Sequence, residues 1–197
     1  MTQISHKQRR EREIETLKAQ ILQTSRDIAL KEGWTEVSIR KIANAIEYTP
    51  PVIYEHFKNK EAILIELESM GFRLLQQALE DARATTSDPV RQLVAVSEAF
   101  WDWAFIHPEL YQVMFNLDGI KSTPPSNLSL RNAAQSVIEI LRQIHLFAND
   151  TEESFFTWWA TVHGYVSLVM SGQLPGLTSL MKHHMVTAVS RLAQRLV

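Results

Sequence analysis

Apolar residues recur at intervals of three and four along nearly the whole chain, and no window alternates apolar and polar side chains as a half-buried strand would. This periodicity restricts the 197 residues to an all-α fold. Ile14, Leu17, Ile21, Ile28 and Ala29 form a first stripe, and Gly33 follows it where a helix can close in the left-handed conformation. A first helix over about Arg10 to Glu32 is therefore expected. Ser38 is placed to cap a short second helix with Ile39, Ile42, Ala43 and Ile46 inward. Thr49 stands before Pro50, a residue suited to the first helical position, so a third short helix is expected over Pro50 to Phe57 with Ile53 and Phe57 buried.

From Lys60 the stripe Ile63, Leu64, Leu67, Met70, Leu74, Leu75, Ala78 and Ala82 predicts a fourth helix long enough to connect two bodies. Thr86-Ser87-Asp88-Pro89 stops it and starts a fifth, which must break before Pro108 because the residue preceding proline avoids the helical region. A sixth over Glu109 to Phe115 leads to a loop over Asp118 to Asn127, and Leu130, Ala133, Val137 and Leu141 mark a seventh. Asp150 and Glu153 have the spacing of a capping box for an eighth, which Gly172 and Pro175 end. Leu177, Leu180, Met181, Met185, Ala188 and Leu192 line a ninth. The expected architecture is about nine helices in two domains, residues 1–59 and 60–197.

Composition removes several classes of function. There is no cysteine, so disulfides, thiolate zinc sites and cysteine nucleophiles are excluded. The most apolar segment, Phe155 to Met170, is interrupted by Thr157, Thr161, His163, Gly164 and Ser167 and falls short of the roughly 20 residues that a membrane span needs. The polar, charged first residues do not read as a secretory leader, and a soluble cytoplasmic protein is expected. Net charge is −2, yet residues 1–60 carry 11 basic against 8 acidic side chains. A mildly basic head thus precedes an acidic body. His183 and His184 point about 100° apart on a helix, no His-Glu-x-x-His or Gly-rich phosphate loop is present, and no set of residues has metal-ligand spacing. No catalytic residue, metal or cofactor is expected.

The second and third helices, joined by a short turn, have the spacing of a helix-turn-helix, whose second element enters the major groove. With Ile53 and Phe57 inward, Thr49, Pro50, Pro51, Val52, Glu55 and His56 remain outside, beside Tyr54, Lys58 and Lys60. Tyrosine, histidine and lysine are suited to phosphate oxygens, whereas Val52 or a proline ring can touch thymine methyls. The alternative is a surface helical hairpin of a larger bundle. The runs Ser38-Ile39-Arg40-Lys41-Ile42-Ala43 and Ile53-Tyr54-Glu55-His56-Phe57-Lys58-Asn59-Lys60-Glu61-Ala62-Ile63-Leu64 resemble the DNA-binding head of TetR-family transcriptional regulators over about residues 14–64. That resemblance implies a dimeric regulator with a three-helix head and a helical body that senses a small molecule. It further implies that Ser38, Tyr54, His56 and Lys60 contact phosphates and that Arg40, Pro50, Pro51 and Val52 face bases. Two departures stand out. Glu47 occupies the turn position that glycine usually holds in the family, where a left-handed conformation costs about 1–2 kcal/mol. Two successive prolines also remove two backbone donors at the start of the recognition helix. The first ten or so residues read either as a basic arm following DNA into the minor groove or as a solvated tail.

In the body, aromatic residues crowd the fifth, sixth and eighth helices. They read either as solid core or as the walls of an apolar pocket near Trp101, Trp103, Tyr111, Trp159 and His163, suited to an apolar or aromatic effector with one or two polar groups. Trp159 and His163-Gly164, with His107-Pro108-Glu109-Leu110-Tyr111, resemble one TetR subgroup's C-terminal domain. On the eighth helix Ala160, Gly164, Ser167 and Ser171 make a stripe of small residues opposite bulky ones, a surface that lets another helix approach. A symmetry mate is expected there, with Met181, Met185, Ala188 and Leu192 completing a four-helix homodimer interface; the alternative is that the ninth helix of the same chain fills the stripe. The expected function is a one-component regulator, a repressor, that binds palindromic double-stranded operator DNA as a homodimer and answers to a small molecule. The rival is an all-α regulatory protein acting through a protein partner.

Overall fold

A computed structural model describes residues 6–117, 127–144 and 151–196. Among them the fold is all-α, with nine α-helices: α1 His6–Glu32, α2 Ile39–Ala45, α3 Pro50–His56, α4 Lys60–Arg83, α5 Pro89–Ile106, α6 Pro108–Met114, α7 Asn127–Ile144, α8 Thr151–Met170 and α9 Thr178–Leu196. One 3-10 turn, Trp34–Glu36, separates α1 from α2. The loop expected over Asp118 to Asn127 lies outside the described residues up to residue 126, as does the capping residue expected at Asp150.

The chain forms two compact units, one from Met1–Ser69 with Glu109–Pro125 and the other from Met70–Pro108 with Ser126–Val197. The first is built around Ile21, Trp34, Ile42, Ile53, Ile63, Leu67, Leu110 and Tyr111, all almost wholly buried. α1 begins four residues before the expected Arg10, and its first turns bury nothing: Ile14, placed in the inward stripe by its spacing, is exposed, and burial starts at Ile21. Gly33 follows α1 with φ +85° and ψ 161°, a positive-φ conformation open to glycine but extended rather than the left-handed helical one expected of it. Ser38 caps α2, its Oγ accepting the Lys41 N–H at 3.2 Å. Thr49 holds the extended cap position before α3 without a side-chain cap bond. Asn59 Oδ1 accepts the Ala62 N–H at 2.9 Å and so opens α4.

In the second unit α5 is the central element, packed against α7, α8 and α9. Asp88 caps it by accepting the Val90 N–H at 2.9 Å, Pro89 takes the first turn, and the helix stops at Ile106 ahead of Pro108. Leu93, Val96, Phe100, Ala104, Val137, Leu141, Trp158, Val162, Val166, Met185 and Val189 form its core. Leu74 and Leu180, assigned inward by their spacing, are exposed. Each lies on a helix that buries one face only, and the neighbours Leu75 and Leu79 on α4, Met185 and Val189 on α9 take that face. Among the described residues no helix is long and apolar enough to cross a membrane.

Candidate functional site

α2 and α3 are joined by a tight turn. Glu47 has φ +62°, the left-handed conformation its position implies, and the Tyr48 N–H bonds the Ala43 carbonyl at 2.9 Å, which closes α2. This turn fixes which side of α3 is buried. Ile53 and Phe57 face the core, while Pro51, Tyr54 and Glu55 are exposed and Pro50, Val52 and His56 are half-buried at the surface. Ser38, Arg40 and Thr49 are also exposed. The Ser38 hydroxyl is used as an acceptor in its cap, so its proton stays available to an external acceptor.

Lys60 is placed differently from expectation. Its ammonium donates to the Trp34 carbonyl at 2.6 Å, and partial burial lowers its pKa from the ordinary 10.5. The side chain thus ties the start of α4 to the 3-10 turn through one of its three donors. Trp34 is held in turn by α6: its indole Nε1 donates to the Glu109 carbonyl at 3.0 Å. The Glu109 carboxylate pairs with Arg26 of α1 at 2.8 Å and is 2% exposed. Sequence reasoning missed this cluster, although a glutamate inside the apolar run around Leu110 and Tyr111 was its signal. Nearby, Lys41 pairs with Glu32 at 2.6 Å; the hydrogen bond to that carboxylate raises the lysine pKa, opposed by a smaller desolvation.

The aromatic residues of the second unit pack on one another. Phe100 meets Trp158 and Trp159 edge-on, and Trp159 stacks on His163 with ring centres 5.5 Å apart and planes 8° from parallel. Burial lowers the His163 pKa from its ordinary 6.5. Trp158 Nε1 donates to Ser97 Oγ at 2.7 Å. A crevice lined by Phe72, Phe100, Trp158 and Trp159, among others, encloses only about 10 Å³, room for no more than one water. Of the five residues expected around a pocket, Trp159 alone lines this crevice. Trp101 and Trp103 are buried on α5, and the Trp103 Nε1 is buried without a hydrogen-bond partner among the described residues. Tyr111, in the first unit, is fully buried and packs edge-on against Phe115.

On α8 the small stripe faces outward. Ala160 and Ser171 are exposed, Gly164 and Ser167 half-buried, and a Cβ at Gly164 would meet nothing within 4 Å. At Gly164 the stripe is therefore open. Phe156 and Leu168 flank it, 56% and 47% exposed. Met181, Ala188 and Leu192 are half-buried on α9, but Met185 is wholly buried in its own chain's core and has no surface to offer a partner.

Residues 21–67 match the family described as "Bacterial regulatory proteins, tetR family", and residues 93–191 match "Tetracyclin repressor-like, C-terminal domain". The chain belongs to the TetR family of transcriptional regulators. Its family and fold are those of DNA-binding transcriptional regulators with a helix-turn-helix, not those of enzymes. This TetR-family chain is 23% identical over 147 residues to an uncharacterized HTH-type transcriptional regulator of Mycobacterium tuberculosis, covering 72% of the chain and 65% of that protein. It is 25% identical over 101 residues to the HTH-type transcriptional activator FasR of Mycolicibacterium smegmatis, covering 51% of the chain and 46% of FasR. The chain thus spans less than two thirds of either relative. Among solved structures, PfmR, a TetR-family regulator from Thermus thermophilus, shares the fold with a TM-score of 0.67 at 20% identity, covering 88% of this chain and 97% of that one.

Proposed function

We propose that the chain is a repressor that binds a palindromic operator as a homodimer, placing α3 of each head in the major groove, and that a small apolar or aromatic molecule modulates its binding. The observation that carries the DNA reading is the division of α3 about Ile53 and Phe57: those two side chains are buried, and Pro51 and Tyr54 stand exposed beside Val52 and His56. Tyr54, His56 and Ser38 hold phosphates; Arg40, Pro50, Pro51 and Val52, with Thr49 at the helix start, meet base edges. Lys60 acts in this reading chiefly by fixing the start of α4, its remaining donors reaching a phosphate at the helix N-terminus. A dimer seated across a promoter excludes other proteins from the same grooves, which is repression in its simplest form. Such work places the chain in the cytoplasm, with its operator.

Dimerisation through α8 is supported by the open space beyond Gly164 and by the exposed Phe156 and Leu168. A second copy's α8 and α9 fill that space, with Ala160, Gly164, Ser167 and Ser171 at close approach and Met181, Ala188 and Leu192 beside them. An effector is supported by the Trp103 indole N–H, unpaired among the described residues, and by the Trp101, Trp159 and His163 rings; the crevice of about 10 Å³ must open to admit it. A ligand that favours one tilt of α4 then changes the spacing of the two recognition helices, and about 1.4 kcal/mol of preference gives a tenfold effect per site.

Anisotropy titrations of the chain against duplexes from its own upstream DNA test the reading. Specific binding is expected, with Val52→Ala changing sequence preference and Tyr54→Phe weakening all sequences alike. Equal affinity for upstream and scrambled duplexes would contradict it.

A further inference from the structure

The first four turns of α1 take almost no part in the packing of the helix-turn-helix unit. From His6 to Gln20 every side chain but the half-buried Leu17 is exposed, so this stretch, about 22 Å long at about 1.5 Å per residue, projects beyond the packed part of its unit. One flank of it forms a groove of about 560 Å³ lined by Arg9, Arg12, Glu13, Thr16, Leu17, Gln20 and, from another element, Tyr48. Tyr48 is the residue before the Thr49 cap of α3, its N–H is fixed to Ala43, and its side chain remains 44% exposed. The groove therefore opens immediately beside the N-terminal end of the recognition helix.

Its charge favours an anion. Glu13, the acid lining it, is tied to Arg9 at 3.0 Å in a pair whose members are 76% and 64% exposed, and such a pair exchanges for a phosphate at little cost. The Arg12 side chain has no ion-pair partner among the described residues, and Glu11 and Glu15 do not line the groove. A polyanion already brought to α3 is the occupant whose charges and position both fit. We propose that Arg9, Arg12 and Tyr48 clamp the phosphate backbone of duplex DNA flanking the operator half-site, outside the base pairs that α3 reads. This rests on the placement of α3 in the major groove. The clamp adds affinity and reach without adding sequence information.

The test is the salt dependence of binding by the full chain, wild type against Arg9→Gln/Arg12→Gln and, separately, Tyr48→Phe. Two duplexes are used, one with long flanks and one trimmed to the half-sites. Glutamine keeps helix propensity at these exposed positions, and circular dichroism verifies that both variants stay folded. On the long duplex the double variant should lose about 1.8 from its log–log salt slope for each protomer bound, two phosphates at about 0.9 each. Its affinity should then fall roughly tenfold less than that of wild type between 50 and 200 mM salt. Tyr48→Phe should weaken binding with the slope unchanged. On the trimmed duplex all three proteins should bind alike, and sequence preference should not move. An unchanged slope on the long duplex, or an equal loss on both duplexes, overturns the clamp. If wild type shows no preference for operator over scrambled DNA while the slope difference persists, the placement of α3 falls instead.

Discussion

The indole N–H of Trp34 donates to the backbone carbonyl of Glu109, 75 positions along the chain, at 3.0 Å. α6 is thereby fastened to the turn between α1 and α2, and the carboxylate of the same glutamate is fastened to α1 through Arg26. Because Glu109 is 2% exposed, Arg26 takes the place of water at its carboxylate. Arg26→Met should lower stability by about 3–5 kcal/mol, the effect of stranding a buried charge. Arg26→Met with Glu109→Leu should recover most of the loss. Urea midpoints of the single and double variants measure both, and equal midpoints for the two would contradict this account.

Glu47 at φ +62° carries a strain that glycine would not. Glu47→Gly should stabilise the chain by about 0.5–1 kcal/mol, the left-handed cost relieved less the entropy of an added glycine. Glu47→Val should destabilise it, since a β-branched side chain tolerates that region least. Thermal midpoints of the two variants should move in opposite directions.

Most of the fold was legible because its punctuation is local. Gly33, Ser38, Asp88-Pro89 and Pro108 each act within a turn or two of their own position, and the helices begin and end beside them. Glu47 was legible for the same reason. What sequence periodicity did not reveal is which apolar positions the rest of the chain reaches. Ile14 belongs to the stripe of α1 by spacing, but the core ends near Ile21; Met185 belongs to the face of α9 by spacing, but the inner side of that face is already covered within the chain. Lys60 shows the same limit for polar groups, because a carbonyl 26 positions earlier, Trp34's, takes its ammonium. Long-range partners of this kind leave no periodic trace. The aromatic cluster of α5 and α8 was equally ambiguous, since rings that stack on each other and rings that wall a pocket have the same spacing.

Gly164 separates folding from assembly. A Cβ there meets nothing within 4 Å of its own chain, so Gly164→Leu should leave the protomer folded. The leucine should hold two α8 helices apart and yield monomers. Light scattering on the folded variant reads this directly: a mass of one chain is expected, and a mass of two would refute the α8 interface.

His163 makes stability depend on pH in a definite direction. Burial lowers its pKa in the folded state from the 6.5 it has when exposed, so as pH falls through 6.5 the unfolded chain takes up a proton that the folded chain resists. The stability present above pH 6.5 is progressively lost below it, until the folded-state pKa is passed. His163→Phe, which keeps a ring against Trp159, should flatten the pH dependence in that window. Urea titrations of both proteins at a series of pH values measure the difference, and parallel curves would show that His163 contributes nothing.

Hydroxyl-radical footprinting of the wild-type chain on its upstream DNA tests the central claim most directly. Two copies of α3, each entering a major groove from one side of the duplex, should protect two symmetric patches about 34–36 Å apart or at a multiple of that spacing. Protection of a single patch, or of none at concentrations that saturate binding, would contradict an operator read by a symmetric pair of recognition helices.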